Sequence, residues 1–134
     1  MIAGIGVDIF SFERLSRMAE REEFYRQILT PEELGVAPKG EGRELFCARL
    51  FAAKEAILKA LGCGLHHGLS WHDINLHESA EVALTGQIHE LAVRQSVRHI
   101  HVSFSSSTRQ VVAIAVLETH PTKEGWTDGE HGLV

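Results

Sequence analysis

The chain has 134 residues, of which 44% are hydrophobic and 23% charged, with a formal net charge of −5. That length suits one domain of ordinary globular composition, able to bury a core without disulfide or metal staples. The acidic balance gives no bulk reason to expect nucleic acid or an anionic membrane as partner, and no apolar run approaches the roughly 18 residues needed to span a bilayer.

Taken in chain order, residues 2–9 read as a short buried strand that ends at an acid, Asp8. The opening Met1-Ile-Ala-Gly-Ile-Gly-Val lacks the basic start and longer apolar stretch of a secretion signal, so a cytoplasmic location is expected. From Ser11 to about Arg21 the pattern turns helical, with Phe12, Leu15 and Ala19 sharing a face. Thr30-Pro31-Glu32-Glu33 predicts a helix start, with a capping threonine, proline at the first helical position and acids in the first turn. Val36 to Gly42 reads as a loop. Glu44 to Leu61, rich in Ala, Leu, Glu and Lys, is the strongest helix, and Gly62 supplies its stop. Residues 64–70 read as a bend. Ile74 and Leu76, then Val82 and Leu84, alternate with other side chains and predict a hairpin. Gly86 to Ser96 is helical, and strands at about 99–105 and 110–118 flank a serine-rich turn. Residues 1–119 are thus expected to form the domain and 120–134, with Trp126, a polar tail. Helices and strands in this irregular order favour an α+β fold, a small antiparallel sheet against a long helix, over a doubly wound parallel sheet.

Several places can carry chemistry. At about 100° per residue, Leu50, Ile57 and Leu61 make one side of the long helix, while Ala48, Ala52, Glu55, Lys59 and Gly62 line the other. A carboxylate and an ammonium flanked by small residues leave room for something bulky, although an exposed i,i+4 Glu–Lys pair reads the same way. Asp8, at a strand end before a helix, is either a turn former or, with Glu55, one of two carboxylates of the kind magnesium takes from protein when phosphates and waters complete its octahedron. Arg14, Arg17 and Arg21 fall within a narrow arc beside Phe10 and Met18. This is either a solvated cationic face or a docking stripe for an acidic helical partner. His101, Ser103 and Ser105 alternate toward one side, before Ser106 and Ser107, where hydroxyls and backbone N–H groups either hold a phosphate or satisfy their own turn. Cys47 and Cys63 are read as reduced thiols, and His66, His67, His72 and His77 have no zinc-ligand spacing.

Four blocks, Gly4-Ile-Gly-Val-Asp8-Ile9, Ile28-Leu-Thr-Pro-Glu-Glu-Leu34, Phe51-Ala-Ala-Lys54-Glu55-Ala56-Ile-Leu-Lys59-Ala-Leu-Gly62 and His101-Val-Ser-Phe-Ser105, occur in an order that resembles the holo-acyl-carrier-protein synthases, the small 4'-phosphopantetheinyl transferases. The resemblance runs from about residue 2 to 118. It implies the phosphopantetheinyl transferase fold and transfer of the phosphopantetheine arm of coenzyme A to a serine of an apo acyl carrier protein, releasing 3',5'-ADP. It further implies Asp8 and Glu55 as ligands of Mg2+ (or Mn2+), and Glu55, directly or through a water, as the base. Lys59 would contact phosphates, and Lys54, Gly62, His101, Ser103, Ser105 and Ser106 would join the coenzyme A site. Arg14, Arg17, Met18 and Arg21 would dock the carrier, and a homotrimer would place the coenzyme between neighbouring subunits along the small-residue lane. The chain departs from the family pattern at Ser106, where a histidine is usual. It departs again at Leu50, where the usual arginine appears one residue earlier as Arg49, and in a shorter segment from Asn75 to Ala83. These departures motivate two other readings: a non-catalytic homologue that binds coenzyme A or a carrier protein, and an enzyme devoted to one specialised carrier.

Overall fold

Strand β1, Ile2–Ser11, alternates strictly: Gly4, Gly6, Asp8 and Phe10 face inward, while Ile5, Val7 and Ile9 face out. In the computed structural model, which describes residues 1–64, 69–76 and 81–120, β1 is followed by helices α1 (Phe12–Ser16), α2 (Arg21–Ile28), α3 (Pro31–Val36) and α4 (Arg43–Leu61). A single 3-10 turn, Trp71–Asp73, leads into β2 (Ile74–Leu76), which pairs antiparallel with β3 (Val82–Leu84). Helix α5 (Gly86–Arg94), β4 (Val97–Ser106) and β5 (Gln110–Thr119) complete the described chain. The main sheet is antiparallel in the order β1-β5-β4, so the first strand pairs with the last among the described residues. One face of it packs on α4, which makes the fold α+β as the sequence implies.

Gly4 and Gly6 set the distance between strand and helix. A Cβ on Gly6 would lie 1.9 Å from the carbonyl oxygen of Ala56 and 2.7 Å from the backbone nitrogen of Ala60; one on Gly4 would lie 2.3 Å from Ala60 O. These neighbours are helix backbone and cannot turn aside. Gly6→Ala is therefore expected to lower stability by about 3 kcal/mol, measured by thermal or denaturant unfolding, because β1 must lift off α4.

With glycines on one side and Phe10, Leu15 and Leu117 packed into the same core, α4 is buried almost all round. Ala48 and Ala52 are 1% and 0% exposed, which corrects the open small-residue lane expected from the helical wheel. In the stretch from Cys47 to Leu61 only Arg49, Glu55, Lys59 and Ala60 are not buried. At the far end Gly62 adopts φ 74°, the left-handed cap that a side chain would disfavour.

The helix expected from Ser11 to Arg21 is two helices. Leu15 is fully buried and anchors α1, whereas Ala19 is exposed, so carrying the helix past Ser16 buries nothing more. The chain turns tightly through Met18 N–H to Leu15 O at 3.1 Å and restarts at Arg21, an element the sequence reading did not assign. Phe10, expected beside the arginines on the surface, is fully buried on β1, with its ring 4.9 Å from that of Phe51. The helix start predicted at Thr30–Glu33 is present and takes the form of a capping box, and the 74–76 and 82–84 strands form the expected pair. Part of the expected bend at 64–70 and all of the tail after His120 lie outside the described residues.

Candidate functional site

Packing of β1 on α4 brings together side chains 51 residues apart in sequence: Lys59 Nζ donates to Asp8 Oδ1 at 2.9 Å and to Val7 O at 3.1 Å. Asp8 is on the inward face of β1, two residues beyond Gly6, where the helix surface gives way to solvent. Its side chain is 13% exposed and that of Lys59 is 52% exposed. One turn back on α4, Glu55 is half-buried. Burial, then the negative charge of Asp8, hold its carboxyl above the usual range, against the opposing pull of Lys59 and Arg14. The cluster therefore holds two carboxylates, close enough that the charge of Asp8 opposes the ionisation of Glu55, one ammonium, and the Arg14 guanidinium within electrostatic reach.

This donor set fits a hard divalent cation. Both acidic groups are carboxylates, the oxygen donors such an ion takes, and their mutual repulsion favours a positive charge between them. Among the described residues no group of three or more His, Cys, Asp or Glu is gathered to hold a metal by protein alone.

Lys54, expected to bind coenzyme, is elsewhere. Its side chain points from α4 into the core, fully buried, and donates to Ile28 O at 2.8 Å, Glu33 Oε1 at 2.6 Å and Trp71 O at 3.3 Å. Burial pushes its pKa down and the Glu33 carboxylate pulls it back. Glu33 in turn accepts from Thr30 N at 2.7 Å and Leu76 N at 2.8 Å. The network ties α2, α3, the 3-10 turn and β2 to the helix turn that carries Glu55. Lys54 is thus corrected from a ligand contact to a structural ion pair: neighbouring residues on a helix differ by about 100° in direction, so it and Glu55 cannot face the same site.

The remaining expected residues divide between the two faces of the sheet. His101, Ser103 and Ser105 pair in register with Val116, Ile114 and Val112, which pair in turn with Ile5, Val7 and Ile9 on the outward face. Within one chain they do not converge on Asp8 and Glu55. His101 Nε2 lies 2.9 Å from Glu118 Oε2, and that contact holds the Glu118 carboxyl below its usual range. Ser106 is on the other face, where Arg49 Nη2 donates to its hydroxyl at 3.4 Å. Two of the three departures from the family pattern, Ser106 and the arginine displaced to Arg49, therefore meet, a pairing that no sequence spacing signalled. Gly62 is exposed, and its conformation is accounted for by the helix cap.

Of the expected docking residues, Arg14 stacks over the Phe10 ring at 5.1 Å, while Arg17 pairs with Glu13 at 2.5 Å. Met18 is half-buried in the turn that follows. Arg21 leaves this group: it opens α2 and its guanidinium approaches Glu44 at 3.9 Å. A cleft of about 680 Å³ lies beside it, lined by Tyr25, Arg26, Arg43 and Glu44 among others. Its Arg43 and Arg26 are already paired with Glu22 and Glu23, and none of the Asp8 cluster lines it.

Comparison with known proteins bears on what this cluster does. The model of the 4'-phosphopantetheinyl transferase superfamily matches residues 4–116. A holo-[acyl-carrier-protein] synthase of Vibrio cholerae serotype O1 is 40% identical over 126 residues, covering 88% of this chain and 98% of that protein. Among solved structures, the holo-[acyl-carrier-protein] synthase of Neisseria meningitidis superposes with a TM-score of 0.77 at 32% identity, covering 89% of this chain and 100% of that one. The Bacillus anthracis enzyme in complex with CoA (3',5'-ADP) gives 0.71 at 33% identity, covering 90% and 99%.

Proposed function

This chain belongs to the 4'-phosphopantetheinyl transferase superfamily, among the holo-acyl-carrier-protein synthases, and on that premise we propose that Asp8, Glu55 and Lys59 form its reaction centre. The reaction moves 4'-phosphopantetheine from coenzyme A to a serine of an apo acyl carrier protein. The observation that carries the residue assignment is the convergence of a β1 carboxylate with the only α4 carboxylate–ammonium pair open to solvent between Cys47 and Leu61.

Asp8 and Glu55 would hold Mg2+, which when bound supplies charge neutralisation at the pyrophosphate of coenzyme A. The serine hydroxyl of the carrier attacks the β-phosphorus, the bond to the leaving 3',5'-ADP breaks, and Glu55 takes the serine proton. A carboxylate whose proton affinity is raised by burial is a better base than one in water. Lys59, on a half-exposed flexible stem, reaches the phosphate oxygens as their charge grows. Arg14 and Arg17, on the exposed side of α1, steer the acidic helix of the carrier toward Glu55, with Met18 as the apolar contact.

The outward sheet face supports a homotrimer. Ile5, Val7, Ile9 and Ile114 are 57%, 46%, 58% and 38% exposed, a contiguous apolar surface of the kind that another copy covers. The same face carries His101, Ser103 and Ser105, so assembly would bring one copy's residues to coenzyme held at its neighbour's Asp8 and Glu55. Among the described residues no helix is long and apolar enough to cross a membrane. The unpaired thiols of Cys47 and Cys63 suit a reducing cytoplasm.

The test is intact-mass spectrometry of an apo acyl carrier protein incubated with the chain, coenzyme A and Mg2+. A gain of about 340 Da, lost with chelator, is expected for one transferred phosphopantetheine. No gain on any of several carriers would overturn the transferase reading in favour of a binding protein.

A further inference from the structure

Lys59 is already engaged. Its ammonium donates to Asp8 Oδ1 and to Val7 O, so it stands against the carboxylate that the reading above assigns to the metal. An ammonium 2.9 Å from Asp8 and a divalent cation on the same carboxylate repel each other, and an ammonium with two of its three N–H groups on Asp8 and Val7 O must leave them to give its charge fully to the coenzyme phosphates. The Lys59 stem is half-exposed and has four rotatable bonds, so its charge can travel several ångströms while α4 stays fixed.

Resting on the assignment of Asp8 and Glu55 as metal ligands, we propose that Lys59 is a resident counter-cation for Asp8 that must be released before the site takes a divalent cation, and that the phosphates of coenzyme A are what draw it away. In the ligand-free chain Lys59 neutralises Asp8 and so lowers the affinity for metal alone. When coenzyme binds, Lys59 moves to the phosphates, Asp8 is freed, and metal and coenzyme reinforce each other's binding. By linkage the reinforcement is equal in both directions. The device makes the site order its own loading: metal without coenzyme is held weakly.

The experiment is titration of the full chain with Mn2+, followed by calorimetry or by loss of the free-ion electron paramagnetic resonance signal, with and without saturating coenzyme A and no carrier present. Lys59→Met is expected to bind Mn2+ alone at least about fivefold more tightly than the parent, within the usual span of coupling between linked sites. Coenzyme A should then tighten Mn2+ binding much more in the parent than in the variant. Arg14→Met controls for simple loss of positive charge, because Arg14 acts on Glu55 but makes no contact with Asp8. Thermal melting of Lys59→Met, and of Lys59→Gln as a second variant, checks folding; this position is exposed and tolerant. Affinity in both variants no greater than in the parent, or no greater than in Arg14→Met, would overturn the proposal while leaving the metal site intact if Asp8→Asn abolishes binding. Mn2+ binding indifferent to Asp8→Asn would overturn the metal assignment and the proposal together.

Discussion

Glu55→Gln is expected to lower carrier modification by a factor of between about 10² and 10⁴, the usual contribution of a positioned general base, and at the same time to raise the neutral-pH melting temperature of the ligand-free protein. Both effects come from one environment. Glutamine keeps the shape but can neither take the serine proton nor complete a two-carboxylate metal site. The stability gain follows from the direction of the Glu55 shift. Its carboxyl titrates above the ordinary 4.5 in the folded chain because burial and Asp8 oppose its charge. Between the unfolded and the raised folded pKa the native state binds more protons than the unfolded chain, so stability falls as pH rises through that window. At neutral pH the parent carries a penalty that the glutamine variant does not. Below about pH 4 both states of the parent are protonated and the advantage should vanish. Melting curves at pH 7.5 and near pH 4, with intact-mass transfer assays, check both halves. Loss of transfer with a lowered melting temperature at neutral pH would mean that the substitution damaged the fold rather than the chemistry.

Lys54→Ala is expected to cost about 3–5 kcal/mol, lowering the melting temperature by roughly 10–20 °C. The ammonium is fully buried, and all three of its donor directions are taken by Ile28 O, Glu33 and Trp71 O. Removing it strands the Glu33 carboxylate, only 1% exposed, together with two backbone carbonyls that have lost a donor. Alanine also leaves a cavity the length of a lysine stem. Lys54→Met separates these contributions by restoring most of the volume but not the charge. The methionine variant should retain most of the loss, because the stranded carboxylate dominates. Denaturant unfolding of both variants is the measurement, and near-complete recovery by methionine would show that packing, not charge, is what Lys54 supplies. Activity should fall with stability in either variant, since the ion pair fastens α3 and β2 to the helix turn that presents Glu55.

How much of this was legible depended on whether a signal was local. The helix start at Thr30 and the Gly62 stop are matters of neighbouring backbone, and both appear where the sequence puts them. The alternation of His101, Ser103 and Ser105 along β4 is equally plain. The break after Ser16 was not, because Ala19 fits an apolar face on a helical wheel and only tertiary packing decides that nothing covers it. The wheel failed on α4 for the opposite reason. A central helix is buried on most sides, so its small residues mark close approach by β1 rather than open space for a ligand. Asp8 and Glu55 are legible from residue type and resemblance, but the Lys59–Asp8 pair needs the register of β1 on α4. The role of Lys54 needed most: its partners come from three separate segments, and its place beside Glu55 in sequence suggests the wrong face.

The pairing of the first strand with the last has a consequence for biosynthesis. Ile2 lies opposite Glu118, and Thr119 N–H closes on Met1 O at 2.8 Å. Throughout translation β1 therefore waits, with Ile5, Val7 and Ile9 beside an unpaired backbone edge, until the ribosome has delivered β5. No shorter nascent chain can complete the sheet, and the register of Asp8 against Ala113 that presents it to Glu55 is fixed only then. The sheet becomes foldable only once β5 has emerged, and a product truncated before residue 110 is a client for chaperones and proteases rather than a weaker enzyme.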